Sequence, residues 1–244
     1  MSYSTSAIAK IAAVHPNTVR YYEAIGYLPA VHRKANGYRV FTDVHIEQLK
    51  LIKIAHRSEI LQNNLREKTT EIIRLCAQNE YEQALANARE YQTLICVEEE
   101  KAMEAVRLVN ELLNSQSTGT APQGFTRRKA AESLGVTMDA LRNWELNGLI
   151  EIPRKVNGYR FYTEKEMREL KITRVLRNAN YSLMAILRML HQLRGSPNTD
   201  LRKALDTPSP QEDIVYVTDR LLTSLMQAKR DAGEMVAHIL QRIK

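Results

Sequence analysis

The sequence predicts a mainly α protein in which one small module with a β-hairpin occurs twice, each copy followed by long helices of coiled-coil type. Three observations predict it. The tetrad Asn36-Gly37-Tyr38-Arg39 returns as Asn157-Gly158-Tyr159-Arg160 in a chain of 244 residues, which marks duplication of half the chain rather than a short-period solenoid. Only 9 Gly and 7 Pro are present and aromatics make up 6%, a composition that favours helices. Two apolar series step by four and three residues, as the seam of a coiled coil does.

The repeat extends outward from the tetrads. Ile11-Ala12-Ala13-Val14 faces Ser133-Leu134-Gly135-Val136, and Arg20-Tyr21-Tyr22-Glu23 faces Arg142-Asn143-Trp144-Glu145. Gly26-Tyr27-Leu28 faces Gly148-Leu149-Ile150, and Val40-Phe41-Thr42 faces Phe161-Tyr162-Thr163. The offset is 122 before the tetrad and 121 within and after it, so the second copy lacks one residue between Gly148 and Asn157.

In chain order, Thr5 or Ser6 caps a short helix through about Ala13, and Val14-His15 turns. Pro16 opens a second helix, where its missing N–H is not needed, and Gly26 stops it. Two short helices joined by a tight turn make a helix-turn-helix, whose second helix can enter a major groove. Val31–Lys34 and Tyr38–Phe41 read as strands around a type I′ turn at Asn36-Gly37, a basic hairpin that forms a wing. Thr42 caps a helix with Ile46, Leu49, Ile52 and Ile54 on its apolar side. Helices follow over about Ser58–Ala77 and Glu80–Leu113. Along the latter, Tyr81, Leu85, Ala88, Gln92, Ile95, Glu99, Ala102, Val106, Val109 and Leu113 form the first seam. Asn114 to Gly124 is a linker.

The second copy repeats the plan. Thr126 caps a helix to Leu134, Gly135-Val136 turns, Thr137 caps Met138–Leu146, and Gly148 ends that helix. Helices follow at Glu164–Asn178 and Ser182–Leu193. A Pro-broken stretch leads to a last helix over about Glu212–Ile243, whose seam is Leu221, Leu225, Ala228, Ala232, Met235 and Ile239. The expected domains are winged helix-turn-helix modules at 1–57 and 125–194, a helical region with a long pairing helix at 58–113, a linker at 114–124, a connector at 195–211 and a C-terminal pairing helix at 212–244.

Charge divides along the same lines. Residues 1–58 carry 8 basic and 3 acidic side chains and residues 122–195 carry 14 and 7, whereas 59–121 carry 6 and 11 and 196–244 carry 7 of each. Two basic modules point to nucleic acid, because neutralising phosphates releases counterions. No apolar run approaches the ~18–20 residues needed to cross a bilayer, and the N-terminus lacks the features of a signal peptide, so a cytoplasmic protein is expected. Cys76 and Cys96 fit neither a disulfide framework nor a zinc site and read as small hydrophobes, so no metal and no cofactor is expected. No Gly-rich phosphate loop, His-Glu-x-x-His or paired-carboxylate arrangement stands out, and an enzyme is not expected.

With these residues in view, the chain resembles the MerR family of bacterial transcription regulators. The resemblance is close in copy 1, from Ala12-Ala13-Val14-His15-Pro16 through Arg20-Tyr21-Tyr22-Glu23 to Asn36-Gly37-Tyr38-Arg39-Val40-Phe41-Thr42, and is looser in copy 2. It implies contacts to double-stranded promoter DNA from Asn17, Thr18, Arg20, Tyr21, Arg33, Lys34, Tyr38 and Arg39, and from Met138, Asp139, Arg142, Asn143, Arg154, Lys155, Tyr159 and Arg160. Tyr22 and Trp144 are expected to pack inside the modules. Asp139 departs from the pattern, since an acidic side chain repels phosphate although it can accept from a cytosine amino group.

The resemblance further implies dimeric action, distortion of promoter DNA and RNA polymerase as a partner. A chain holding module, helix, module, helix can supply both halves itself: a pseudo-dimer with 80–113 paired antiparallel to 212–243, closed by a linker able to span roughly 30 Å. A homodimer with four modules is the alternative. A small-molecule effector could use Tyr81, Tyr91 and Met103, which otherwise read as core. The rival function is a helical small-molecule binding and sequestering protein derived from such a regulator.

Overall fold

The computed structural model describes residues 1–57, 63–115, 124–152, 161–196, 198–208 and 217–243. Those residues are mainly helical, with one small antiparallel sheet. Two compact units result, Met1–Val97 with Leu225–Lys244, and Glu98–Ser224.

In the first unit β1 (Ser2–Tyr3) leads to α1 (Thr5–Ile11), α2 (Pro16–Ala24), β2 (His32–Arg33), β3 (Arg39–Thr42) and α3 (Asp43–Arg57). Ser4, not Thr5 or Ser6, caps α1, its hydroxyl accepting from Ala7 N at 3.2 Å. Pro16 opens α2 as expected, and the imidazole of His15 supplies the cap by accepting from Asn17 N at 3.1 Å. Gly26 follows α2 with φ of 74°, a left-handed conformation that costs glycine nothing. Ala13 holds φ of 50° in the turn between α1 and α2.

The sheet order is β1-β3-β2, with Tyr3 opposite Phe41 and Arg33 opposite Arg39. The expected hairpin therefore gains an N-terminal strand too short for its alternation to be read. Its turn also differs. Gly37 N donates to Lys34 O and Lys34 N to Tyr38 O, both at 2.8 Å, and Gly37 but not Asn36 carries positive φ. This is a type I turn over Lys34–Gly37 ending in a left-handed glycine, not the two-residue type I′ turn. Asn36 contributes its side chain instead, accepting from Tyr38 N at 3.2 Å.

Ile8, Val19, Phe41, Leu49 and Ile52 form a fully buried core. On α3 the buried line includes Leu51 and Ala55, while Ile54 is half-buried. Thr42 precedes α3, and its backbone N–H donates to His45 Nδ1 at 3.0 Å.

The second unit repeats the module with closely matching boundaries. Thr126 caps α6 (Arg127–Leu134), Thr137 caps α7 (Met138–Leu146), Thr163 and Glu166 form a capping box on α8 (Glu164–Asn178), and Ser182 caps α9 (Leu183–Gly195). Phe125 bridges antiparallel to Tyr162, the same pair as Tyr3 with Phe41 at the sequence offsets of the repeat. Gly135, φ 59°, occupies the place of Ala13. Trp144 is buried as expected, and Tyr22 is half-buried.

The remaining helices are α4 (Asn63–Ala77) and α5 (Tyr81–Asn114), α10 (Leu201–Asp206), and α11 (Leu221–Ile243) after a 3-10 turn at Val217–Arg220. Helix α10 lies in the stretch read as a Pro-broken connector. Asp200 caps it, Leu201, Ala204 and Leu205 are buried, and the buried Arg188 of α9 donates to the carbonyls of Ala204, Leu205 and Asp219 at 2.8–3.0 Å. The buried line of α11 is the expected one, from Leu221 to Ile239. On α5 it is Ala84, Ala88, Tyr91, Ile95, Ala102, Ala105 and Val109. It meets the expected seam at Ala88, Ile95, Ala102 and Val109, and elsewhere shifts by one, choosing Ala84 and Ala105 over the larger Leu85 and Val106, which stay half-buried. No helix among the described residues is long and apolar enough to cross a membrane.

Candidate nucleic-acid interface

Helix α2 is sorted by its own periodicity. Val19 is buried, while Asn17, Arg20 and Tyr21 project outward, Tyr21 at 60% exposure, and Thr18 is half-buried. Arg20 Nη1 donates to Asn17 Oδ1 at 2.7 Å, so the amide and the guanidinium present one ordered edge. On the β2–β3 hairpin Arg33 and Lys34 are exposed, and Tyr38 stands at the tip, 72% exposed.

Arg39 behaves differently. Its Nε donates to the Glu23 carboxylate, and Arg33 Nη2 lies 3.6 Å from the same group. Glu23 thus ties both strands of the hairpin to α2, fixing the angle between hairpin and helix while neutralising Arg39. The free cations of this face are then Arg20 and Lys34, with Arg33 partly engaged. Glu23 was not expected among the site residues. Its signal in the sequence is its return as Glu145 in the repeat.

Glu145 solves a related problem with other partners. It is buried among Arg127 of α6, at 2.5 Å, and the hydroxyl of Tyr162. Burial and the hydrogen bond to Glu145 push the Tyr162 phenol up to about 12. On α7, Met138, Asp139, Arg142 and Asn143 are all exposed. Asn147 Nδ2 donates to the Asn143 carbonyl at 2.8 Å and to its side-chain oxygen. Arg154, Lys155, Tyr159 and Arg160 lie outside the described residues.

Each module is fastened to a long helix. In the first unit Arg57, at the end of α3, pairs with Asp231 at 3.4 Å and Glu234 at 2.5 Å on α11, and Glu47 faces His238 at 3.9 Å. Burial lowers the His238 pKa. Gln48 of α3 donates to the carbonyls of Tyr27 and Ile73, at 2.9 and 2.8 Å, joining the module to α4. Tyr22 stacks on Tyr27 and on His56, and Arg74 of α4 lies 5.9 Å over the Tyr27 ring. In the second unit the turn after α8 docks on α5. Asn180 Nδ2 donates to Glu98 at 3.0 Å and the buried Tyr181 hydroxyl to Ala102 O at 3.2 Å.

The candidate effector residues do not converge. Tyr81 lies under the Arg242 guanidinium, 5.9 Å away. Tyr91 is buried, its phenol pushed up to about 12 by burial and the nearby Asp231. Met103 is 47% exposed and lines a shallow cleft with Val106, Arg107, Asn110, Arg202 and Leu222. On one helix, 22 residues separate Tyr81 from Met103 by roughly 33 Å, too far for a single small-molecule pocket. Cys76 is buried, with its thiol pushed up to about 12 by desolvation, and Cys96 is half-buried. Among the described residues no cluster of His, Cys, Asp or Glu could hold a metal ion.

Comparison with known proteins bears on both modules. Residues 4–41 match the family model described as MerR family regulatory protein, and residues 125–193 match that described as MerR HTH family regulatory protein. The chain is similar to the HTH-type transcriptional regulator CueR of Salmonella typhi, 41% identical over 54 residues, which is 22% of this chain and 39% of that protein. It is also similar to the HTH-type transcriptional regulator ZntR of Escherichia coli (strain K12), 32% identical over 65 residues, 27% of this chain and 46% of the other. The matches therefore span less than half the length of either relative. No solved structure matches the chain significantly. One MerR match falls on each copy of the internal repeat, so the chain carries two MerR-type domains.

Proposed function

We propose that this chain is a sequence-specific DNA-binding transcription regulator whose two unlike winged helix-turn-helix modules act together as a pseudo-dimer on promoter DNA, distorting it between the two contacts. The observation that carries the reading is the exchange of helices. The first module is held by α11, from the second half of the chain, through Arg57, Asp231 and Glu234. The second is held by α5, from the first half, through Asn180, Tyr181, Glu98 and Ala102. Two protomers that cross-brace each other would do the same, and here one chain supplies both.

The basic charge of both modules fits a DNA partner, and the exposed cluster of Asn17, Arg20, Tyr21, Lys34 and Tyr38 fits base and phosphate contacts from one helix and one wing. RNA polymerase is the natural second partner of a regulator that reshapes a promoter. Because the faces of α2 and α7 differ, the preferred site is asymmetric.

Selection from a random DNA library, followed by the binding stoichiometry on the winning sequence, tests this. One chain per asymmetric site is expected. Arg20→Ala and Arg142→Ala are each expected to cost about 1–3 kcal/mol of binding. Two chains on a palindrome would replace the pseudo-dimer with a four-module homodimer, and no enrichment would remove DNA recognition altogether.

A further inference from the structure

The exposed stripe of α7 does not copy that of α2. Met138, Arg142 and Leu146 recur every fourth residue and so share one face of the helix. The two flanking side chains are large, apolar and left in water, Met138 at 53% and Leu146 at 75% exposure. The same places on α2 hold Pro16, Arg20 and Ala24. The arginine is shared, and its flanks are not.

The polar complement differs as well. On α2, Asn17 accepts from Arg20 and the face carries one positive charge without an acid. On α7, Asp139 accompanies Arg142, so the face is close to neutral. Such a face gains little from phosphates, and its recognition must come from base edges. The module around it still carries 14 basic against 7 acidic side chains over residues 122–195, which makes DNA the complementary occupant rather than another protein surface. In a major groove the one apolar feature at base edges is the 5-methyl group of thymine, and arginine's best partner is guanine.

We infer that the second module reads a thymine-bearing half-site, with Met138 and Leu146 against thymine methyls and Arg142 on a guanine between them; this rests on the DNA-binding reading above. Steps of four residues advance the stripe by about 6 Å, or roughly two base pairs at a 3.4 Å rise. The half-site is therefore of the pattern T-x-G-x-T or its close relatives, and the first module's half-site lacks this dependence.

The test replaces each thymine of the selected site, one at a time, by uracil, which removes only the methyl group. A loss of about fourfold in affinity per contacted methyl is expected, the equivalent of ~0.8 kcal/mol per buried methylene, confined to the half-site that Arg142→Ala weakens. The double variant Met138→Ala with Leu146→Ala, at two exposed positions that the fold does not need, should abolish that uracil penalty. Binding that is indifferent to uracil throughout this half-site overturns the inference while leaving DNA recognition intact. Failure to select any DNA overturns both.

Discussion

Glu23 and Glu145 hold the same place in the repeat and have been given different partners. Glu23 anchors the β2–β3 hairpin through Arg39 and Arg33, whereas Glu145 is buried between Arg127 and Tyr162. The repeat in the sequence made the carboxylate conspicuous, but its partner was not legible: Arg39 and Arg127 come from elements whose approach depends on the folded module. Glu145→Gln should destabilise the chain by about 2 kcal/mol in urea unfolding, less than the ~3–5 of a fully buried pair because Arg127 keeps some water. Glu23→Gln, in a more exposed pair, should leave stability nearly unchanged and weaken DNA binding by loosening the wing. A second residue-scale outcome concerns alkaline pH. Tyr91 and Tyr162 titrate near 12 in the folded chain, chiefly because they are buried, and near 10 when unfolded. The unfolded chain gives up these protons first, so the stability they contribute is intact below pH 10 and is lost as pH rises from 10 toward 12. Urea titrations across that window should show the decline, and Tyr91→Phe should make it shallower, leaving the share that Tyr162 carries.

Elements were legible where local chemistry decides them. Thr126 and Thr137 announce two helix starts in the second copy because a capping hydroxyl needs only its own next turn; the Thr163 and Ser182 caps follow the same chemistry. In the first copy the caps are a serine one residue earlier than expected and an imidazole, His15, which few rules nominate. The buried line of α5 falls one residue before the expected seam at alternate positions, on Ala84, Tyr91 and Ala105 rather than Leu85, Gln92 and Val106, because a seven-residue period alone does not fix which of two neighbouring residues faces the packing. Short α10 and β1 lack the length for any period to show. The turn between the two short helices offers a direct comparison of the copies. Ala13 holds φ of 50° where the second copy has Gly135, a left-handed conformation that costs an L-residue about 1 kcal/mol. Ala13→Gly should therefore raise the stability of the first module by up to that amount, a rare gain from a glycine. Gly135→Ala should cost at least as much, since its Cβ would also press to 3.3 Å from Arg174. Chemical denaturation of the two variants, read side by side, decides it. Opposite signs, with the larger change at Gly135, are the expected result.

The scale of the whole molecule is where the sequence spoke through one feature, the returning Asn-Gly-Tyr-Arg, and through the length of the linker between the two halves. What it did not contain was which long helix each module would lean on. That depends on pairs 82 to 177 residues apart, such as Asn180 with Glu98 and Arg57 with Asp231 and Glu234, and no local period encodes them. Each compact unit draws residues from both halves of the chain: the first ends with Leu225–Lys244 and the second begins at Glu98. Cutting the chain in the linker near residue 121 should then give two fragments, neither of which contains a complete unit. Fragment 1–121 lacks the α11 carboxylates that meet Arg57, and fragment 122–244 lacks the stretch of α5 that receives Asn180 and Tyr181. Each alone should unfold with low cooperativity and bury its apolar seam poorly, whereas an equimolar mixture should regain a single sharp transition. Loss-of-function through the cut itself is excluded if the mixture also regains DNA binding. If instead each fragment folds cooperatively by itself and the mixture adds nothing, the helices are not exchanged, and the two MerR-type domains are independent modules joined by a tether.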